Sequence, residues 1–337
     1  MTLRGFLFIL ATLAIILPAS ILGLGAYKLN KPLQVDSSPK VIEIADGSSL
    51  SAVAHRLERE GWVDAYTVLF MRLYGRITGL AGQIKTGEYA ISDSISAKQL
   101  LDSMAAGDVV QHRLTVVEGW TLAQLLESLR QHDRIEYTLE GVEKEDLLKE
   151  LGIGEDRHPE GLFYPTTYNF PSGITDRQFL RNAYSEMIKR LEQIWQTRQV
   201  GLPLDTPYDA LILASIIERE ARVEEERARI AGVFIRRLDK GMRLQADPTV
   251  VYGIGDDFSG RITRADLRRD TPYNTYTRSG LPPTPIALPG SSSIKAAVNP
   301  EPGDELYFVA RGDGTHHFSS TLEEHNRAVQ RYILGNR

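Results

Sequence analysis

The hydrophobic positions of this chain fall into one long uncharged block, several helical stripes and a few short alternating runs. The block comes first. Gly5 to Tyr27 is apolar apart from Thr12 and Ser20 and carries no charge. At roughly 20 residues it is long enough to span a bilayer as a helix. A signal peptide is the competing reading, with an apolar region of about 7–15 residues followed by small residues. Length favours an uncleaved anchor. Val41-Ile-Glu-Ile44 then alternates like a strand. Leu50, Val53, Ala54 and Leu57 share one helix face after Ser48 or Ser49, and Asp64 caps a second helix carrying Val68, Leu69 and Leu73. Gly87 to Ile91 is strand-like, and Leu100, Leu101 and Met104 mark a helix after Ser96. These elements make a small α+β module between residues of about 40 and 110.

A larger mixed α+β region follows. Val109 to Val117 reads as a strand, and Leu122, Leu125, Leu126 and Leu129 as the stripe of a helix. Glu160 to Phe170 is aromatic and punctuated by Pro and Gly, which predicts a shaped loop. Leu180, Met187, Leu191 and Ile194 place a helix after Thr175. Thr206-Pro-Tyr-Asp209 combines a capping residue, proline at the first helical position and an acid three residues on. A helix over Glu224 to Lys240 stops at Gly241, and Tyr273 to Ile286 is an irregular segment rich in aromatics and proline. Leu306 to Ala310 and His316 to Phe318 pair across Asp313-Gly314, and Thr321 to Glu324 is a capping box.

Composition narrows the function classes. With 337 residues, 42% of them hydrophobic, the chain can fill one large or two modest cores. A net charge of -5 argues against a nucleic-acid partner. The lack of cysteine excludes disulfides, zinc–thiolate sites, a cysteine nucleophile and a lipid anchor on cysteine. His316 and His317 would face opposite sides of a strand and so suit a shared metal poorly. No metal or organic cofactor is expected. Ser292-Ser-Ile-Lys295 and Lys85-Thr-Gly87 imitate a penicillin-binding set, but their order is reversed and no S-D-N lies between them.

The candidate chemistry centres on Glu218. Leu211, Ala214, Ser215 and Glu218 stand at i, i+3, i+4 and i+7. An acid at the end of such a stripe is either solvated or held against apolar neighbours. In the second case its pKa rises and it can protonate a leaving group. Gln245, Asp247 and Thr249 can bond sugar hydroxyls, although Asp247-Pro248 is also a plain turn starter. Tyr273, Asn274 and Tyr276 suit a saccharide, rings stacking on sugars and the amide reading acetamido groups, or equally loop packing. Arg261, Arg264, Arg268 and Arg269 are either a solvated face or holders of substrate carboxylates.

Several runs in order resemble the YceG-like family: Glu160 to Tyr168, Ala214 to Glu220, Val233 to Leu238, Met242 to Val250, Arg264 to Leu267, Pro272 to Tyr276, Gly280 to Pro283, then His316, Phe318 and Glu324-His-Asn326. Thr284 and Leu288 depart from it, where glycine and a polar residue are usual. The resemblance implies an inner-membrane protein with a cytoplasmic N-terminus and its remaining domains in the periplasm. The layout would be a stub and anchor over 1–28, a tether over 29–40, a LysM-like module over 41–112 and a catalytic domain over 113–337. It further implies cleavage of the β-1,4 bond between N-acetylmuramic acid and N-acetylglucosamine inside peptidoglycan glycan strands. The new end would be a 1,6-anhydro sugar, Glu218 the catalytic residue, and peptidoglycan synthases the partners. Gln245, Tyr273 and Asn274, with Glu160 and Glu220 behind them, would support Glu218. The alternative reading is a non-catalytic, membrane-tethered peptidoglycan-binding protein; against a third, a pyridoxal-phosphate lyase acting on aminodeoxychorismate, stand the membrane anchor and the lack of a persuasive lysine site.

Overall fold

The structure, a computed structural model, describes residues 3–36, 39–154 and 157–335. Ser37 and Ser38 of the expected tether lie outside these residues. The chain divides into two compact units, Met1–His112 with Asn169–Gly173, and Arg113–Tyr168 with Ile174–Arg337.

The first unit starts with helix α1 (Leu3–Asn30), whose span Leu7–Asn30 is long and apolar enough to cross a membrane. The last turns of α1 are not free. Leu29 and Leu33 are buried in the core of this unit, so the segment expected as a tether is packed at these two positions. Strand β1 (Lys40–Ile44) pairs antiparallel with β2 (Gly87–Ile91), with Ile42 opposite Tyr89. Between them lie α2 (Leu50–Arg59) and α3 (Ala65–Thr78), capped by Ser49 and Asp64. After β2 comes α4 (Ala97–Ala106), whose Ser96 closes a capping box with Gln99. The predicted faces of α2 and α4 are buried. In α3 the stripe is different: Val68, Phe70 and Met71 face inward, while Leu69 and Leu73 are exposed. A single helix offers two apolar faces here, and only packing chose between them.

Strand β3 (Gln111–Thr115) pairs with β5 (Thr167–Pro171), so part of the run expected as loop is a strand. The second unit has α5 (Leu122–Arg130), β4 (Ile135–Glu136), the short α6 (Leu147–Glu150) and β6 (Ile174–Thr175), which pairs parallel with β4. Its centre is helical. Helix α12 (Ser291–Val298) packs on α7 (Asp176–Trp195), α8 (Pro207–Glu220) and α9 (Arg227–Asp239). Asp247-Pro248, read as a turn starter, opens helix α10 (Asp247–Ile254), and α11 (Arg264–Arg268) is capped by Thr263. Hairpin β7 (Tyr307–Ala310) and β8 (His316–Ser319) forms as expected, and Thr321 caps α13 (Leu322–Val329).

Candidate active site

Helix α8 is the axis of the site. Thr206 and Asp209 close its capping box with Pro207 in the first turn. Every residue from Ala210 to Ile217 is buried, as in a helix surrounded by protein. Ser215 ties it to the segment after residue 280, donating to Ile212 O at 2.7 Å and accepting from Ile286 N at 3.0 Å. Glu218 is where the helix leaves the core. Its side chain is only 5% exposed. Oε1 accepts from Arg227 Nη2 at 2.9 Å, and Oε2 accepts from the backbone N–H of Gly290 at 3.0 Å. Gly290 is the N-cap of α12, so the carboxyl also meets the positive end of a short helix. The carboxyl is therefore neither solvated nor among apolar groups alone: both oxygens have donors, and one donor is a cation. Arg227 Nε is buried and has no partner among the described residues.

A second carboxyl adjoins this one. Glu118 sits on an exposed turn, but its end tucks against Gly290: a Cβ on Gly290 would lie 1.8 Å from Glu118 Oε1. The turn is held at three points. Gly119 N–H donates to Leu288 O at 2.8 Å, Leu288 N–H to Trp120 O at 2.7 Å, and Arg219 Nη1 to Gly119 O at 3.1 Å. Partial burial, then the charge of Glu218, raise the Glu118 pKa, against the pull of Arg227. Glu224 joins the group and accepts from Ser292 Oγ at 2.8 Å.

The sequence-predicted binding residues divide into two sets. Glu220 and Asp247 line a cleft of about 450 Å³ with Arg219, Arg222 and His316. Burial, then the charge of Asp247, push Glu220 up to about 8. Tyr276 OH donates to Asp247 Oδ1 at 2.6 Å. Gln245 is exposed nearby along the chain, and among the described non-glycine residues only it has positive φ, at 52°. Its Oε1 accepts weakly from Arg237 Nη1 at 3.4 Å. Such a conformation is held at a cost and is a mark of constrained sites.

The other four serve the scaffold. Asn274 is buried, and its Nδ2 donates to the carbonyls of Asp266, Leu267 and Arg269, leaving nothing to read an acetamido group. Thr249 is buried with its hydroxyl on Ala246 O and Thr275 Oγ1. Tyr273 OH meets Thr284 Oγ1 at 3.0 Å, which gives that departure from the family pattern a partner. Glu160 is buried beneath α5, accepting from Leu122 N–H at 2.8 Å and Tyr252 OH at 3.0 Å. Burial pushes it up to about 7 despite these bonds. Arg261, Arg264, Arg268 and Arg269 are exposed.

Sequence reasoning passed over Arg227, Gly290 and Glu118. Pro289-Gly290-Ser291 is a legible helix start, but nothing in it names the carboxyl it would face. Arg227 follows three glutamates and looks like any charged surface. His316, read as poorly suited to sharing a metal with His317, pairs with Glu226: its backbone N–H donates to Oε1 at 3.0 Å and Nδ1 stands 2.7 Å from Oε2.

Comparison with known proteins places the chain in a family. The YceG-like family model matches residues 42–331. An endolytic murein transglycosylase of Bacillus subtilis is 32% identical, covering 90% of this chain and 88% of that one. One from Streptococcus pneumoniae is 27% identical over 91% of this chain, which spans 61% of that longer relative. A YceG-like protein of Listeria monocytogenes, solved by crystallography, superposes with a TM-score of 0.53 at 31% identity, covering 87% of this chain and all of that one.

Proposed function

This chain belongs to the YceG-like family, and from that premise we propose that it is a peptidoglycan lytic transglycosylase with Glu218 as its catalytic carboxyl. The observation that carries the reading is the placement of Glu218: a nearly buried acid at the end of the central helix, held by Arg227 Nη2 and the Gly290 N–H. The bond cleaved is the β-1,4 link between N-acetylmuramic acid and N-acetylglucosamine within a strand. Glu218 gives a proton to the leaving oxygen. As a carboxylate it then takes the proton of the sugar's C6 hydroxyl, whose oxygen bonds the anomeric carbon and closes the 1,6-anhydro ring. The substrate carries its own nucleophile, so proximity replaces a bound water. Ordinary glycosidases need a second carboxylate for that task. Arg227 and the Gly290 N–H favour the carboxylate that appears as the proton leaves, which is where preorganised donors lower a barrier.

Around this centre, Asp247, Glu220, Gln245 and Tyr276 contact the glycan from the neighbouring cleft. The β1–α2–α3–β2 arrangement of the first unit, two antiparallel strands around two helices, supports a LysM-like glycan-binding module. The apolar span of α1 supports a single-pass inner-membrane anchor with the N-terminus cytoplasmic and the rest periplasmic. In that place the enzyme trims or terminates nascent strands beside peptidoglycan synthases.

The test is digestion of purified sacculi by the full chain, with mass spectrometry of the soluble products. Wild type is expected to release fragments ending in anhydro sugars, and Glu218→Gln to lose at least about a hundredfold in rate. A well-folded Glu218→Gln variant that still releases such ends removes Glu218 from its role. Wild type that binds sacculi and releases nothing leaves a binding protein in place of an enzyme.

A further inference from the structure

We infer that Glu118 is a positioning residue of the same site: its carboxyl and that of Glu218 form a pair holding one proton, spent on the glycosidic oxygen and regained from the C6 hydroxyl. This rests on the reading of Glu218 given above. The pair is built, not incidental. Gly290 joins the two acids, giving its N–H to Glu218 Oε2 and, through its missing side chain, room to Glu118. The two carboxyls consequently lie within about 7 Å of each other. The three hydrogen bonds on Gly119, Trp120 and Leu288 keep the Glu118 turn from swinging away. The groups facing Glu118 are Glu218, Glu224 and Arg227, with Arg219 across Gly119. Partial burial, then the charge of Glu218, raise the Glu118 pKa, so a proton is kept more easily at Glu118 than at a free carboxyl. That proton goes to the leaving oxygen as the anomeric C–O bond breaks, and the O6 proton returns as the new C–O bond forms. The pair ends each turnover as it began.

The pH–rate profile of sacculus digestion by the full chain tests this. Activity needs the shared proton, so it falls as pH rises past the pair's upper titration. Glu118→Gln removes one charge and lets the proton leave earlier. The expected result is a rate at least about tenfold lower near neutrality and an alkaline limb displaced down by about one pH unit, partly restored in Glu118→Asp. An alkaline limb that does not move overturns the pair, whatever the rate. Glu218→Gln inactive with Glu118→Gln unmoved sinks the pair alone; a wild type that releases nothing sinks the pair and the enzyme together. Glu118 is exposed and Gln is isosteric, so the variants are expected to fold, and thermal melts are the check.

In the first unit, the geometry points to a lipid surface as the partner of α3. Tyr66, Leu69, Leu73 and Ile77 stand at i, i+3, i+7 and i+11 and are all exposed. The bilayer is the occupant because α3 runs back along α1. Its N-terminal Asp64 pairs with Lys28, Phe70 abuts Gly25, and Leu73 and Ile77 line a groove of about 280 Å³ with Ile21 and Leu22. The apolar span is 24 residues, and about 20 are needed to cross. Every 20-residue window in Leu7–Asn30 contains Ile21 to Gly25, so these residues lie at bilayer depth wherever the span is centred. Leu73 and Ile77 are carried to that level, with the exposed Arg72 and Arg76 beside them able to reach the headgroups.

This depends on α1 spanning the membrane, and the test separates the two claims. The chain has no cysteine, so single substitutions take one fluorophore each. Full chains carrying Leu13→Cys, Ile77→Cys or Asp46→Cys are labelled and reconstituted in vesicles of phosphatidylethanolamine and phosphatidylglycerol containing nitroxide-labelled lipid. The label at Ile77 is expected to be quenched several-fold more than that at Asp46. Ile77 quenched no more than Asp46, with Leu13 quenched, overturns the lipid contact, including the case where a second copy covers the stripe. An unquenched Leu13 removes the anchor and the contact with it.

Discussion

The Glu118 carboxyl fills the space that a side chain at residue 290 would need, at 1.8 Å from an ideal Cβ. The Gly290 backbone itself is ordinary, with φ -78°, so alanine there meets no backbone strain and acts by pushing the Glu118 carboxyl out of its place. Gly290→Ala is therefore expected to lower glycan release about tenfold or more. In a Glu118→Ala background the same change is expected to cost little further, since the clash is gone. Additive losses in sacculus digestion would contradict this coupling.

Arg227 and Glu218 form a buried ion pair with side chains 14% and 5% exposed. Removing one partner leaves the other charge stranded. Arg227→Gln is expected to destabilise the fold by about 2–4 kcal/mol in chemical denaturation and to cut activity by about ten- to a hundredfold. In the double variant with Glu218→Gln most of the stability returns. If the double is as unstable as the sum of the two singles, the pair has no structural coupling.

Asn274 holds three backbone carbonyls with one amide nitrogen and takes the Tyr276 N–H on Oδ1 at 2.8 Å. Its replacement acts on stability before chemistry. Asn274→Ala is expected to cost about 1–3 kcal/mol and lower Tm by several degrees. A variant with unchanged melting but lost glycan affinity would return Asn274 to the sugar-reading role.

Glu220 has a folded pKa of about 8 against a usual 4.5, raised by burial and then by Asp247. The folded chain thus keeps a proton there that the unfolded chain releases, and this favours folding most at low pH. The advantage is lost as pH rises from about 4.5 to about 8. Glu220→Gln is expected to gain stability relative to wild type across that interval, by about 1–3 kcal/mol in urea melts. A difference that stays flat with pH places the carboxyl in contact with solvent.

Local chemistry along the chain was enough to set the caps and the helices they open. Asp64, Ser96, Thr175, Thr206 and Thr321 each bond an N–H three residues on, and that depends on neighbours in sequence alone. The same holds for Glu218 at the end of an apolar helix and for the hairpin across Asp313-Gly314. What α3 buries, and whether Asn274 faces sugar or carbonyls, was settled by packing between segments. So was the ring of partners around Glu218. Arg227, Gly290 and Glu118 come from nine residues after, 72 after and far before it, and one of them, Gly290, acts through a backbone N–H and a missing Cβ. A carboxyl's chemistry depends on the charges and donors within a few ångströms, and only the folded chain brings these together.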